Sequence, residues 1–242
     1  MEDLKKIEKL SIIIPVYNEE RTIRKVYDKI IAVKFPIDKE IIIVDDCSTD
    51  NTREELKKIK KDNKADLKII HHEKNLGRGG AIKTGLSHIS GDIVLMQDAD
   101  LEYDPANIPN FISALKEEKF DVIYGSRIFD NENEKSYLPY YLGNLFLNKV
   151  TSLLYWTKII DMETCHKLIP AKILKGLNLR SNGFDLEPEI TAKILRKGYT
   201  IGYVPISFKP RSVEEGKKVK FSDGFHALKT LIYWRFYPLS KM

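Results

Sequence analysis

Short, largely apolar runs recur along the first half of this chain, and they constrain its fold more than any other feature. The first spans residues 10–16 and the second spans residues 40–44. Continuous apolar runs are typical of strands that are covered on both faces, whereas strands with one face in water alternate apolar and polar residues. These runs therefore predict the interior strands of a parallel sheet.

Segments with helical periodicity separate the runs. After the first run, apolar residues recur at the spacing of one helix face: Ile23, Val26, Tyr27, Ile30 and Ile31. The spacing predicts an amphipathic helix that opens at Asn18 or Glu19. Three further helices are predicted: one that ends at about Lys61, one that follows residue 80 and one over 106–118. Further strands are predicted at 67–70, 93–96 and 122–125. Alternating strands and helices predict an α/β fold with a doubly wound, mainly parallel sheet flanked by helices.

Composition narrows the classes of protein that fit. The 242 residues suit one large α/β domain, and the net charge of +5 is too dispersed to indicate a nucleic-acid partner. Cys47 and Cys165 lie far apart and form no metal-type pair, which favours reduced thiols in a cytoplasmic protein. The charged N-terminus lacks the apolar core of a signal peptide.

The apolar run at 93–96 ends in two carboxylates, Asp98 and Asp100, and Glu102 follows two residues later. Open α/β sheets bind ligands at the carboxyl ends of their strands. In extended geometry, Asp-x-Asp places both side chains on the same side, where one hard divalent cation could meet both, or one directly and one through substrate. The alternative is that both aspartates only open the following turn.

Polar or glycine-rich clusters follow three other predicted strands, at 45–52, 75–80 and 125–127. Because parallel strand ends converge on one edge, these clusters outline a pocket for a nucleotide and its diphosphate. Asp45 and Asp46 could accept hydrogen bonds from base and ribose, or form an Asx-type turn. The glycines of 75–80 match neither the dinucleotide fingerprint nor a P-loop, and are predicted to let the backbone approach the nucleotide. Arg127 is placed for a phosphate, with a surface role as the alternative.

Four motifs in chain order resemble the signatures of family 2 glycosyltransferases: SIIIPVYNE at 11–19, IVDDCSTDNT at 43–52, NLGRGGA at 75–81 and DADLE at 98–102. The segments GSR at 125–127 and EPEITAK at 187–193 resemble the branch of dolichol-phosphate mannose and glucose synthases. The resemblance implies the GT-A fold, a nucleotide-sugar donor, and Mg²⁺ or Mn²⁺ bound at the Asp-x-Asp.

Roles for individual positions follow from the resemblance and, for the acceptor phosphate and the basic loop, from the chemistry of transfer. Residues expected to bind the nucleotide sugar are Pro15, Tyr17, Glu19, Asp45, Asp98, Arg211 and Lys217. Metal ligands are expected at Asp98, Asp100 and Glu102, where the branch often has glutamine at the last position. Asp100 and Arg127 are the predicted catalytic residues. Arg127 and Ser136 are candidates to bind the acceptor phosphate. A mobile basic loop over the diphosphate is expected to contain Arg211, Lys217 and Lys218.

Two later segments indicate the acceptor. Residues 137–156 combine a broad apolar stripe with tyrosines and a tryptophan, and residues 223–237 repeat the pattern. Pro139, Asn144 and Lys149 interrupt the first segment, so a helix in the membrane interface is more natural than a spanning one. A core or dimer helix is the alternative. We expect a nucleotide-sugar-binding half at 1–130 and an acceptor-binding half with amphipathic interface helices at 131–242, in one continuous catalytic domain.

The expected function is inverting, metal-dependent transfer of a hexose to a polyprenyl or dolichyl phosphate at the cytoplasmic face of a membrane. A separate membrane protein or a homo-oligomer is a further possible partner. A phosphomonoester, with a second pKa of about 6, is largely ionised at neutral pH and acts as its own nucleophile. Mannose from GDP-mannose is favoured by the branch resemblance, and glucose from UDP-glucose is the alternative. The run METCHK at 162–167 departs from the pattern of mannose synthases.

Three other functions compete with this one. The same fold could act on a sugar hydroxyl, with Asp185 or Glu187 as the general base, although both residues could simply flank a helix. A sugar-phosphate nucleotidyltransferase is disfavoured because its glycine-rich loop should follow the first strand, where this chain has PVYNE. A non-catalytic membrane-binding module is disfavoured by the intact Asp98 and Asp100.

Overall fold

The computed structural model describes residues 7–63, 65–129, 138–211 and 221–239. The strands are β1 (Lys9–Val16), β2 (Asp38–Asp45), β3 (Asp66–His71), β4 (Ile93–Met96), β5 (Val122–Ser126), β6 (Lys167–Pro170) and β7 (Ile201–Pro205). The helices are α1 (Ile23–Ala32), α2 (Thr52–Asp62), α3 (Arg78–Leu86), α4 (Ile108–Lys116), α5 (Leu138–Tyr155), α6 (Ala171–Gly176), α7 (Leu186–Arg196) and α8 (Phe221–Phe236). A 3₁₀ turn, Pro105–Asn107, precedes α4.

The strands form one sheet in the order β3-β2-β1-β4-β6-β5-β7. Pairing is parallel except at β6, which runs antiparallel to both of its neighbours, β4 and β5. The prediction of a mainly parallel sheet is therefore confirmed. The predicted strands do not include β6 or β7. In the case of β6, the strand is only four residues long and begins with a lysine.

Alternate residues of the central strands enter two apolar layers, one on each face of the sheet. Ile12 and Ile14 of β1 pack with residues of α1, α2 and α4, whereas Ile13 packs with residues of α3, α6 and α7. This alternation is the period of two that a strand imposes on its side chains. It explains why the interior strands are apolar along nearly their whole length.

The first helix begins later than its apolar pattern predicts. Residues 18–22 form turns, and α1 starts at Ile23, because Asn18 has a left-handed backbone with φ of 51°. The Glu19 carbonyl accepts hydrogen bonds from the backbone N–H groups of Thr22 and Ile23 at 3.1 and 3.0 Å. The loop between β1 and α1 is therefore long enough to carry Tyr17 and Glu19 away from the sheet.

Both late apolar segments are helical in the structure, as α5 and α8. They pack against each other and against α7 through a third apolar cluster that includes Leu147, Ala192, Leu231 and Trp234. Within the described ranges, no helix combines the length and apolar character needed to cross a lipid bilayer.

Candidate active site

A cleft of about 580 Å³ opens at the carboxyl edge of the sheet. It is lined by residues that follow β1, β2, β4 and β5 and by residues of α5 and α8. Of the residues predicted from sequence, those that line it are Pro15, Tyr17, Glu19, Asp98, Asp100, Glu102, Arg127, Glu187 and Arg211. Ser136, Lys217 and Lys218 lie outside the described residues. The structure thus brings most of the predicted residues together in one cavity.

Asp185 and Asp45 do not line the cleft. The side chain of Asp45 is fully buried. Its carboxylate accepts hydrogen bonds from the Ser48 backbone N–H at 3.0 Å and from Arg53 Nε at 2.9 Å, and it contacts His71 Nδ1 at 3.0 Å. The hydrogen bond from Ser48 forms the Asx-type turn that was the alternative role for Asp45. Asp45 therefore stabilises the end of β2 and does not reach the cleft.

The next residue, Asp46, lines the cleft instead and anchors the glycine-rich loop. Its two carboxylate oxygens accept hydrogen bonds from the backbone N–H groups of Leu76 and Gly77, both at 2.8 Å. Gly77 has φ of 82°, and a Cβ there would lie 2.5 Å from the carbonyl oxygen of Asn182. The glycine is therefore required by close contact with the loop before α7, and it also lines the cleft, where the approach of this loop to a nucleotide stays a prediction.

The three carboxylates after β4 already contact cationic or backbone donors. Asp98 Oδ1 accepts from Arg78 Nε at 2.9 Å, and Asp100 Oδ2 lies 3.3 Å from Arg211 Nη2. Glu102 Oε1 accepts from the Arg211 backbone N–H at 2.8 Å. Burial, together with the nearby charges of Asp98 and Glu102, raises the pKa of Asp100 to about 7 despite the opposing charge of Arg211. The site therefore holds more negative charge than its own residues neutralise.

Asp98, Asp100 and Glu102 are the expected ligands of a divalent cation. No three Asp, Glu, His or Cys side chains within the described residues converge as a metal-binding group, so the expected three-ligand set with Glu102 is not assembled. Asp98 and Asp100 still offer hard carboxylate oxygens, and Mg²⁺ is commonly bound by one or two carboxylates together with substrate phosphates. Among the described residues, eight carboxylates and three arginines line the cleft. This excess of negative charge fits a bound cation beside an anionic donor.

Arg127 and Arg211 are both held by carboxylates. Arg127 donates from Nε and Nη2 to the two oxygens of Asp161 at 2.9 and 2.6 Å, and its guanidinium lies 5.2 Å from the Phe208 ring. Arg211 donates to both oxygens of Glu19 at 2.7 and 3.2 Å. Two-point contacts of this kind fix the plane of a guanidinium. Both arginines are therefore oriented at the cleft before any ligand is present.

The structure adds functional candidates that the motifs did not reveal: Arg78, Glu163, Cys165 and Lys167. Arg78 bridges Asp98 and Glu187, and Lys167 donates to the second oxygen of Glu187. Burial raises the pKa of Glu163 to about 7 despite the nearby charge of Lys167. The sequence signal for Arg78 was its place in the glycine-rich motif, but its partners are 20 and 109 residues away.

The sheet order and the carboxylate-lined cleft at its carboxyl edge define an α/β protein of the GT-A type. The chain belongs to glycosyl transferase family 2, whose sequence model matches residues 11–177.

Known relatives agree with this assignment. A dolichol-phosphate mannosyltransferase of Pyrococcus furiosus is 29% identical over 219 residues, which cover 86% of this chain and 59% of that protein. A dodecaprenyl-phosphate galacturonate synthase of Rhizobium johnstonii is 29% identical over 175 residues, covering 70% of this chain and 50% of that protein. The chain thus spans about half the length of the curated relatives that it matches.

Solved structures confirm the fold. Glucosyl-3-phosphoglycerate synthase from Mycobacterium tuberculosis, in complex with Mn²⁺, uridine diphosphate and phosphoglyceric acid, superposes with a TM-score of 0.71. The two proteins are 20% identical, and the match covers 96% of this chain and 80% of that one. At this identity the likeness supports the GT-A architecture.

Proposed function

We propose that this chain catalyses inverting transfer of a hexose from a nucleotide sugar to a polyprenyl or dolichyl phosphate. The observation that carries the proposal is the make-up of a single cleft. Carboxylates and arginines from the strand termini line it together with apolar side chains of α5 and α8: Phe146, Leu147, Phe225 and Leu228. A charged donor and a lipid acceptor need these two environments side by side.

The outer surfaces of α5 and α8 support binding at a membrane interface. Large apolar side chains remain exposed there, with Leu153 of α5 at 68% and Phe236 of α8 at 76% of full exposure, and Trp156, the residue that follows α5, is 87% exposed. Exposed apolar groups on amphipathic helices are typical of segments that lie in the headgroup region. We infer peripheral attachment, at the cytoplasmic face, which brings the cleft to a lipid-linked acceptor.

An acceptor phosphate needs no general base, because it is already largely ionised at neutral pH. The rival route, attack by a sugar hydroxyl, needs a carboxylate that is available to take a proton. Asp185 is not among the residues that line the cleft, and both oxygens of Glu187 accept from cations, Arg78 and Lys167. These contacts favour the phosphate as the nucleophile.

The proposed roles follow the cleft from donor to acceptor. Pro15, Tyr17 and Glu19 bind the nucleoside, and Arg211, together with Lys217, contacts the diphosphate. Asp98 and Asp100 hold Mg²⁺ or Mn²⁺, which neutralises charge on the departing nucleoside diphosphate when it is bound. Arg127, together with Ser136, orients the acceptor phosphate opposite the leaving group, so that attack inverts the anomeric centre.

The donor is tested by thermal unfolding with nucleotides, since a ligand that binds only the folded state raises its stability according to affinity. GDP-mannose is our first choice, on the basis of the mannosyltransferase relative. Mg²⁺-dependent stabilisation by GDP and GDP-mannose, but not by UDP, is the expected result, with EDTA-treated protein as the control. The reverse pattern would assign UDP-glucose instead, and no shift with either would contradict a nucleotide-sugar site.

The acceptor is tested by transfer assays with polyprenyl phosphate in detergent and with water-soluble sugar acceptors. We expect radiolabelled hexose to appear on the polyprenyl phosphate alone. Asp185→Asn should leave this transfer within about twofold of wild type, because the residue lies off the cleft. Turnover on hydroxyl acceptors that is lost in both Asp185→Asn and Glu187→Gln, with polyprenyl phosphate unused, would favour the rival route.

A further inference from the structure

Two residues that line the cleft each carry a buried polar atom with no hydrogen-bond partner among the described residues: Arg78 Nη2, a donor, and Glu163 Oε1, an acceptor. Both residues line the same cavity. Buried polar groups are nearly always paired in folded proteins, because an unpaired one costs free energy. A lone donor and a lone acceptor in one cavity therefore indicate a ligand that supplies both kinds of group.

Arg78 cannot turn its unpaired nitrogen to another protein group at low cost. Its side chain is only 10% exposed, and it donates from Nε to Asp98 at 2.9 Å and from Nη1 to Glu187 at 2.7 Å. Rotation of the planar guanidinium would break both ion pairs, which are buried and charge-assisted. Nη2 is thus a fixed donor.

Glu163 is positioned by its neighbours in the chain. Lys167 Nζ donates to the carbonyl oxygens of Met162 and Thr164, on either side of Glu163. Asp161, two residues before Glu163, is held by Arg127. This network fixes the backbone that carries Glu163, so its carboxyl is presented from a rigid segment.

The chemistry of the two atoms distinguishes between parts of a nucleotide sugar. Diphosphate oxygens only accept hydrogen bonds, so they satisfy Arg78 but not the ionised carboxylate of Glu163, which also only accepts. A sugar hydroxyl both donates and accepts, and it matches the pair. A uronic acid would instead bring its carboxylate close to Glu163, in a cleft where carboxylates outnumber arginines.

We propose that Arg78 and Glu163 form the subsite for the glycosyl group of the donor, and that Glu163 selects a neutral sugar over the corresponding uronic acid. The inference rests on the proposed function in one respect, since it takes the ligand to be a nucleotide sugar. It adds the residues that read the sugar and the class of sugar that they accept.

The test is isothermal titration in Mg²⁺ with the nucleoside diphosphate, its neutral nucleotide sugar and the matching uronate, using GDP-mannose with GDP-mannuronate and UDP-glucose with UDP-glucuronate. Wild-type protein should bind the neutral sugar more tightly than the uronate. Glu163→Ala should weaken the neutral nucleotide sugar about 10- to 100-fold, the effect of losing one hydrogen bond to a charged group. Affinity for the nucleoside diphosphate should stay within about twofold, which also shows that the variant is folded.

Glu163→Gln separates charge from shape. It keeps a hydrogen-bonding side chain of the same size but removes the charge, so it should narrow the preference against the uronate. Glu117→Gln, on an exposed glutamate paired with Lys119, is the matched control and should change none of the affinities. Equal weakening of nucleoside diphosphate and nucleotide sugar in Glu163→Ala, or unchanged sugar affinity, would overturn the proposal.

Binding needs no acceptor, so the two proposals fail separately. If polyprenyl phosphate is not glycosylated but the affinities change as expected, the acceptor assignment is wrong and the sugar subsite stands. If transfer occurs but Glu163→Ala binds the nucleotide sugar as wild type does, only the subsite is wrong. No binding of any nucleotide sugar by wild-type protein would overturn both.

Discussion

The carboxyl of Asp100 lies near Asp98, Glu102 and Arg211, where burial and the two carboxylates disfavour its charge. A bound divalent cation would relieve this, whereas Glu102 already accepts the Arg211 backbone N–H. We therefore expect Asp100→Asn to lower kcat about 100-fold or more, as loss of a principal electrostatic group does, and Glu102→Gln to cost far less. Mg²⁺-dependent stabilisation by the nucleoside diphosphate should vanish only in the first variant. Comparable losses of activity would mean that Glu102 is a ligand of equal weight.

How far single residues could be predicted depended on the range of their contacts. Asp98 and Asp100 were predicted because a strand end places them at the sheet edge whatever the rest of the chain does. Asp45 and Asp46 differ by one position, and only the packing of β2 decides which carboxylate reaches the cleft. Glu163 lies in the run METCHK, but that run gave it no role, because Glu187 and Arg127, which help to make its environment, come from separate elements.

Helices and strands with strong periodicity were predictable, but their environments were not. The apolar stripes of α5 and α8 predicted helices, and both form; one face of each joins the core while other apolar side chains stay exposed. β6 was not predicted, since it is short and begins with Lys167, whose buried ammonium pairs with Glu187 and with the carbonyl oxygens of Met162 and Thr164. Tertiary pairing of this kind leaves no periodic trace in a sequence.

The exposed apolar surface of α5 provides a prediction at the level of the helix. Leu153 and Trp156 are exposed and do not line the cleft. Replacing both with serine should weaken cosedimentation with anionic vesicles by about tenfold per residue, since burying one large apolar side chain contributes about 1.5–3 kcal/mol. Nucleotide-sugar affinity should not change.

The control for this vesicle experiment is Phe120→Ser. Phe120 is 41% exposed and contacts Gly202 of β7, away from α5 and α8. The Phe120→Ser variant should leave vesicle binding unchanged. Equal losses in the two proteins, or no loss in the double variant, would argue that α5 does not contact the membrane.

Across the whole molecule, the two edges of the sheet have different tasks. The carboxyl edge gathers the charged groups of the cleft. At the amino edge, Glu40 of β2 links neighbouring strands. It accepts hydrogen bonds from Ser11 of β1 at 2.6 Å, Lys68 of β3 at 2.9 Å and the Gly91 backbone N–H before β4 at 3.1 Å. One buried carboxylate therefore ties four neighbouring strands together, at the end of the sheet that is remote from the cleft.

Glu40 should accordingly govern stability without affecting ligand binding. Burial alone would raise its pKa, but hydrogen bonds from Ser11, Ser90 and Lys68 outweigh burial and lower the pKa from 4.5 to about 2. Because the folded pKa is depressed, the stabilisation is fully present above pH 4.5 and is lost as the pH falls towards 2. Glu40→Gln should lower the free energy of unfolding by about 2 kcal/mol at pH 7, the scale of hydrogen bonds to a charged group. In denaturant titrations the difference from wild type should shrink steadily below pH 4.5, while nucleotide affinity at pH 7 stays unchanged. A difference that is constant with pH would contradict this role for the charge of Glu40.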